Sequence, residues 1–292
     1  MKKRILAVLI ATALAVSVTG CVGNATSSSD STSASSVAES SDTSTQTSAD
    51  ASSEDESKDE SSQEESKDLE ANYTKYTLDG DLTQHMIDMS RLNEGNKVRL
   101  ANVIKKLKNG EEVTVGFIGG SITQGTSAGN DLCYAKLTAD WLQQTYSNAK
   151  INYINAGIGA TGSYIGVHRV ENDLLSKNPD LVFVEFSVND TTENTERNKK
   201  SYDGLLRTIW KSSTNPAIIT IATTQEDGTS FQDQHAEIVK HYDLPMISYR
   251  NTILDTIKHG DIVWKDISDD NIHPNVPGHK ICLLYTSDAA DD

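Results

Sequence analysis

Val113-Thr114-Val115-Gly116-Phe117-Ile118-Gly119-Gly120-Ser121 is the stretch that decides the fold class. Val113–Ile118 is a short apolar run rich in β-formers, and a pair of glycines halts it in front of a serine. Four further runs repeat its first part: Ile151–Ile154, Leu181–Phe186, Ala217–Ala222 and Pro245–Ser248. Between them, apolar residues recur at helical spacing. Val167, Val170, Leu174 and Leu175 fall at i, i+3, i+7 and i+8, and Leu205, Leu206, Ile209 and Trp210 form a second set. Short apolar runs belong to strands buried on both faces, and strands alternating with helices build a parallel sheet covered by helices. The class expected is α/β, with a five-stranded, mostly parallel sheet. Chemistry in such sheets gathers at the C-terminal ends of the strands, here after Ile118, Ile154 and Phe186.

Working outward, the rest of the chain divides sharply. The full chain of 292 residues carries −16 at pH 7. No Phe, Trp or Tyr precedes Tyr73, so the first quarter contributes nothing to an ordinary core. Residues 1–20 carry Lys2, Lys3 and Arg4, then the apolar run Ile5–Val16, which reads as an export signal too short for an ordinary spanning helix. Its ending, Val18-Thr19-Gly20-Cys21, resembles the bacterial lipobox, which implies lipid on Cys21 and a place on the outer face of the cell membrane. Residues 22–72 are Ser, Thr, Asp and Glu with thirteen acids against Lys58 and Lys67. Such a segment buries too little apolar surface to offset its ordering entropy, so a disordered tether is expected. The acidity therefore sits mostly in the tether, and nucleic acid is excluded as a partner. Residues 73–281 suffice for one single-core domain.

Three glycine motifs offer competing chemistry. Gly120 to Thr126 has phosphate-loop spacing but lacks the lysine that reaches the phosphates. Gly157-Ile158-Gly159-Ala160-Thr161-Gly162 matches the dinucleotide fingerprint, yet it follows the second strand, and its candidate ribose ligand Glu185 lies inside a strand. Gly125-Thr126-Ser127-Ala128-Gly129 matches a nucleophile elbow without a strand before it or a helix after it, which places Ser127 in a loop. Ser121 has the context that Ser127 lacks.

A serine needs a base, an orienting acid and oxyanion donors. Asp270-Asn271-Ile272-His273-Pro274 places a carboxylate three residues before an imidazole, close enough to set its tautomer. Asn189, after the strand Leu181–Phe186, can aim its amide at developing negative charge, and the loop after Ile154 can add a backbone N–H.

With these residues in view, Gly119-Gly120-Ser121-Ile122-Thr123, Asn155–Thr161, Val184–Asp190 and Asp270–Pro274 resemble the successive blocks of the SGNH (GDSL-type) esterase family, in the same order. The resemblance spans most of 112–281. It implies a flavodoxin-like three-layer α/β/α sandwich and ester hydrolysis that needs no metal and no cofactor. Carried over by position, it makes Ser121 the nucleophile, His273 the base and Asp270 its orienting acid. The oxyanion donors would be the N–H of Ser121, the N–H of Ala160 and the Asn189 side chain. Gly120 stands where the family has Asp, Ser187 where it usually has Gly, and Ala160 where it usually has its donor Gly, so Gly159 is the second choice for that N–H. The implied substrates are short acyl esters, O-acetyl groups on extracellular polysaccharide above all. The alternatives are a lipase or lysophospholipase, and a non-catalytic glycan-binding lipoprotein on the same fold.

Trp264 admits a packing role or a sugar-platform role. His85, His168, His235, His241, His259 and His279 show no metal-ligand spacing in sequence, so no metal is expected. Cys133 reads as a small buried residue. From Cys282 to Asp292 the sequence resembles an in-frame translation of a transposase-based sequencing adapter. On that reading the helix opening near Pro277 holds barely one turn before the tail, which would leave part of the sheet uncovered.

Overall fold

A computed structural model describes residues 73–78, 80–191 and 195–291. The export signal, Cys21 and the tether all lie outside the described residues.

The chain enters through α1 (Gln84–Ser90), β1 (Arg91–Asn93) and α2 (Val98–Lys108). The central strand β2 (Glu112–Gly119) follows, then the four-residue α3 (Ser121–Gln124), α4 (Tyr134–Thr145) and β3 (Lys150–Gly157). Next come α5 (Ser163–Asp173), β4 (Leu181–Glu185), α6 (Thr195–Trp210), β5 (Ala217–Ala222) and α7 (Gln232–His241). The last part holds β6 (Met246–Ser248), α8 (Tyr249–Lys258), the short α9 (Trp264–Ile267) and α10 (Val276–Asp291).

The sheet has six strands in the order β1-β6-β5-β4-β2-β3. All pairs are parallel except β1 against β6. The five apolar runs all form strands, and the five-stranded expectation is corrected by one. β1 leaves no signal in the sequence because it is a three-residue edge strand with a register shift and no apolar run. Only its partner β6 makes it a strand. Leu174 and Leu175 also fall just past α5, with Leu175 in a short 3₁₀ turn.

Alternation along the strands sorts the core into two layers. Val113, Val115, Phe117, Leu181, Phe183, Ile219 and Ile221 face one side, with side chains from α1, α2, α4, α8, α9 and α10. Ile118, Val182, Val184 and Ile218 face the other, against Val170, Tyr202, Leu205, Ile209 and Val239 from α5, α6 and α7. On the first side Phe117 stacks on Phe183 with ring centroids 4.7 Å apart.

The crossover after β2 goes to the first face and the one after β4 to the second, so strand order reverses between these neighbours. That switch point opens a crevice at the C-terminal ends of β2 and β4, where such folds bind ligands. Ser121 follows β2 and Asn189 follows β4.

The helix that opens near Pro277 is α10, which runs from Val276 to Asp291, and Ile281 and Cys282 are buried in the core. Cys133 is buried as expected, and among the described residues Cys133 and Cys282 are free thiols.

Candidate active site

Ser121 opens α3 immediately beyond β2, and its hydroxyl lies 2.9 Å from His273 Nε2. On the far side of the ring, Nδ1 lies 2.7 Å from Asp270 Oδ2. The carboxylate is itself held: Oδ1 accepts the backbone N–H groups of Ile272 at 2.7 Å and His273 at 2.6 Å. Burial alone would raise the Asp270 pKa, but the hydrogen bonds from the His273 ring and from these two N–H groups outweigh it and hold the carboxyl below its usual range. An ionised Asp270 keeps the proton on Nδ1, so Nε2 is the basic nitrogen facing the serine.

The loop that carries this pair is fastened from behind. Ser268 Oγ reaches the carbonyls of Asp270 and His273 at 2.8 and 2.6 Å, and Ser268 bridges Pro274. Trp264 is 7% exposed and donates its indole N–H to the Asp270 carbonyl at 2.6 Å. Its role is therefore packing and loop support, and no ring face is left for a sugar.

Gly120 explains why the residue before the serine has no side chain. A Cβ there would lie 2.0 Å from Asn189 Oδ1, so in this chain glycine lets the Asn189 amide sit where it does beside Ser121, and a side chain would push it aside. In the second block, Gly159 N–H is already given to Gln124 Oε1 at 2.8 Å. Ala160 has φ +58°, the left-handed conformation that glycine adopts most readily. Ala160 thus keeps the backbone path of a glycine.

Two buried clusters brace the segments that carry Ala160 and Asn189, and neither has a role that the sequence announces. Asp190 accepts Ser163 N–H at 2.8 Å and lies 2.9 Å from His235 Nε2, with both side chains 1% exposed. This carboxylate joins the loop of Asn189 to the start of α5, beyond Ala160. His235 stacks on Tyr202 at 3.6 Å, and burial lowers its pKa against the raising effect of Asp190. The second cluster accounts for Ser187. Its hydroxyl meets Glu185 Oε1 at 3.1 Å and accepts Thr223 N–H at 2.7 Å, tying the end of β4 to that of β5. Glu185 Oε1 also accepts Ser187 N–H at 3.2 Å and the Thr223 hydroxyl at 2.7 Å. Enclosed in this way, Glu185 cannot serve as a ribose ligand.

Burial pushes the Glu185 pKa from 4.5 to about 7, although the hydrogen bonds from Thr223 and Ser187 pull downward. The folded state holds an extra proton between these two values, so the contribution to stability is full below pH 4.5 and is lost as pH rises to about 7. At about 1.4 kcal/mol per pKa unit this amounts to roughly 3 kcal/mol. Glu185→Gln is therefore expected to gain roughly 3 kcal/mol on wild type between acidic and mildly basic pH, read by urea unfolding. His279, lowered by burial to about 4, titrates in both proteins and cancels in the comparison. Parallel pH profiles for the two proteins would show that Glu185 is not the group responsible.

Ser127 lies in a turn, exposed, with φ +70°, and takes no part in the constellation.

The comparisons agree with this architecture. Residues 117–281 match the model of the GDSL-like lipase/acylhydrolase family. A two-domain esterase (CEX) active on acetylated mannans has a similar structure, with 39% identity and a TM-score of 0.67 over 70% of this chain and 56% of that one. The chain thus spans about half the length of that protein. An acetylxylan esterase from Geobacillus stearothermophilus, in a Ser-to-Ala catalytic mutant, shares the fold at 18% identity and a TM-score of 0.53, covering 61% of this chain and 94% of its own. The acetyl xylan esterase AlAXEase does so at 22% identity and a TM-score of 0.53, covering 61% of this chain and 99% of its own. No match is found among curated protein sequences. With the four sequence blocks converging on one crevice and the family model covering more than half of the chain, this protein belongs to the GDSL-like lipase/acylhydrolase family.

Proposed function

We propose that the protein is a serine esterase that removes O-acetyl groups from polysaccharide outside the cell, anchored to the membrane through lipid on Cys21. The observation that carries the catalytic part is the relay Asp270–His273–Ser121, with steps of 2.7 and 2.9 Å. In the first half-reaction Ser121 Oγ attacks the acetyl carbonyl carbon while His273 Nε2 takes the hydroxyl proton. The carbonyl oxygen becomes an oxyanion, met by the N–H groups of Ser121 and Ala160 and by the Asn189 amide. Collapse breaks the bond to the sugar oxygen, and His273 returns the proton to that leaving group. Water then repeats the sequence on the acetyl-enzyme and releases acetate. Every step balances without a metal or cofactor.

Support for a carbohydrate substrate comes from the mannan-active relative and from the surroundings of the relay. A cavity of about 370 Å³ beside α3 is lined by Gln124, Asn130, Asp131, Lys136, Tyr153, Asn155 and Gly157. Another of about 230 Å³, next to the histidine loop, is lined by Gln225, Glu226, Asp227 and Asn271. Such walls hydrogen-bond sugar hydroxyls and offer little to a long acyl chain, which disfavours the lipase reading. The complete relay disfavours a purely binding role.

The test measures acetate released from acetylated mannan and acetylated xylan beside hydrolysis of short-chain and long-chain p-nitrophenyl esters. Rapid acetate release with weak long-chain activity is the expected result. Preference for long acyl chains would overturn the proposal in favour of a lipase, and no hydrolysis at all in favour of a binding protein.

A further inference from the structure

Away from the relay, the fold assembles a cluster that sequence spacing hides. Asp255 and His259 stand four apart at the end of α8, which puts both side chains on one face. From α1, His85 approaches the same carboxylate, 170 residues distant in sequence. His85 Nε2 lies 2.6 Å and His259 Nδ1 3.3 Å from one oxygen, Asp255 Oδ2. His259 Nδ1 also lies 2.9 Å from the Asp255 carbonyl. The three ligand atoms fall within 4.8 Å of one another. His85 is 3% exposed, and the Tyr73 ring stacks on His259 at 4.1 Å and meets His85 edge-on at 5.5 Å.

We propose that His85, Asp255 and His259 form a binding site for a divalent transition-metal ion of zinc type, which clasps α1 to α8. Two imidazoles and a carboxylate are ligands such an ion takes, with water completing the set. Bonds of about 2.0–2.1 Å in a tetrahedron place neighbouring ligand atoms about 3.3 Å apart. The His259–Asp255 pair already has that spacing, and His85 has to withdraw by a fraction of an ångström. His259 exchanges its contact with the Asp255 carbonyl for the ion. Beside the site, Tyr73 engages Asp261, whose carboxylate also accepts Tyr76 N–H at 2.7 Å. The clasp therefore sits where the chain joins the domain. α8 leaves the C-terminal end of β6 and runs ten residues, which at about 1.5 Å each is about 15 Å, before reaching His259. The role is stability, not ester chemistry.

The experiment uses the purified full chain stripped with EDTA. Added zinc chloride is expected to raise the thermal midpoint saturably, and cobalt chloride to give the visible bands of a four-coordinate ion at one equivalent. His259→Gln should weaken binding at least about 100-fold, since even groups that merely support a ligand contribute 10- to 100-fold. Imidazole NMR signals of His85 and His259 should shift together in the wild-type protein, which needs no variant to fold. Ester turnover should be the same stripped and loaded. The proposal is overturned if zinc leaves the midpoint unchanged, if His259→Gln binds as wild type does, or if other histidines shift instead. Any of these results would leave a hydrogen-bonded His–Asp–His contact. Loss of turnover on stripping would overturn the assigned role.

Discussion

Ser121→Ala is expected to lower ester turnover by on the order of 10⁶-fold in a protein that still folds, while Ser127→Ala keeps most of its activity. Ser121 Oγ is the oxygen within 2.9 Å of His273 Nε2, and no other group in the relay can take its place as nucleophile. The hydroxyl is small and lies at a helix start, so alanine removes the reacting atom without opening the core. Residual catalysis would come from the oxyanion donors and from substrate binding alone. Ser127, exposed in its turn, is the control because it matches a nucleophile motif without reaching a base. Turnover of p-nitrophenyl acetate by both variants, with circular dichroism to verify folding, decides the matter. Activity retained by Ser121→Ala and lost by Ser127→Ala would reverse the assignment.

Asn189→Ala is expected to reduce kcat by about 10²–10³-fold and to change KM little. A donor aimed at the oxyanion acts on the transition state and hardly on the ground-state ester, and its loss costs about 2.7–4 kcal/mol. Gly120→Ala should approach the same loss by another route, since its Cβ would land 2.0 Å from Asn189 Oδ1 and push the amide aside. Adding the glycine change to Asn189→Ala should then cost much less than it does in wild type, because both act on one group. Steady-state kinetics on the four proteins tests this. Fully additive losses would show that Gly120 matters for something other than the amide beside it.

The amino-acid sequence by itself determined the elements whose signals are local. Five strands follow from apolar runs, and α5 and α6 from helical periodicity, because strand and helix patterns repeat within a few residues. The positions of Ser121 and Asn189 follow too, since each sits directly beyond a strand. Asp270 and His273 were legible as a pair because they are neighbours in the chain. What only the tertiary structure decided involves groups that are distant in sequence. β1 exists through its pairing with β6, and the burial of Ile281 and Cys282 comes from the core that α10 meets. Gly120 and Asn189 are 69 positions apart, and nothing in either segment announces that one amide needs the other's missing side chain. Likewise Asp190 meets His235 across 45 residues, and His85 meets Asp255 across 170. Periodicity reports which face of an element is buried, whereas a polar cluster is set by which elements the sheet order makes neighbours. That order is fixed by burial of the whole core, and no short segment carries it.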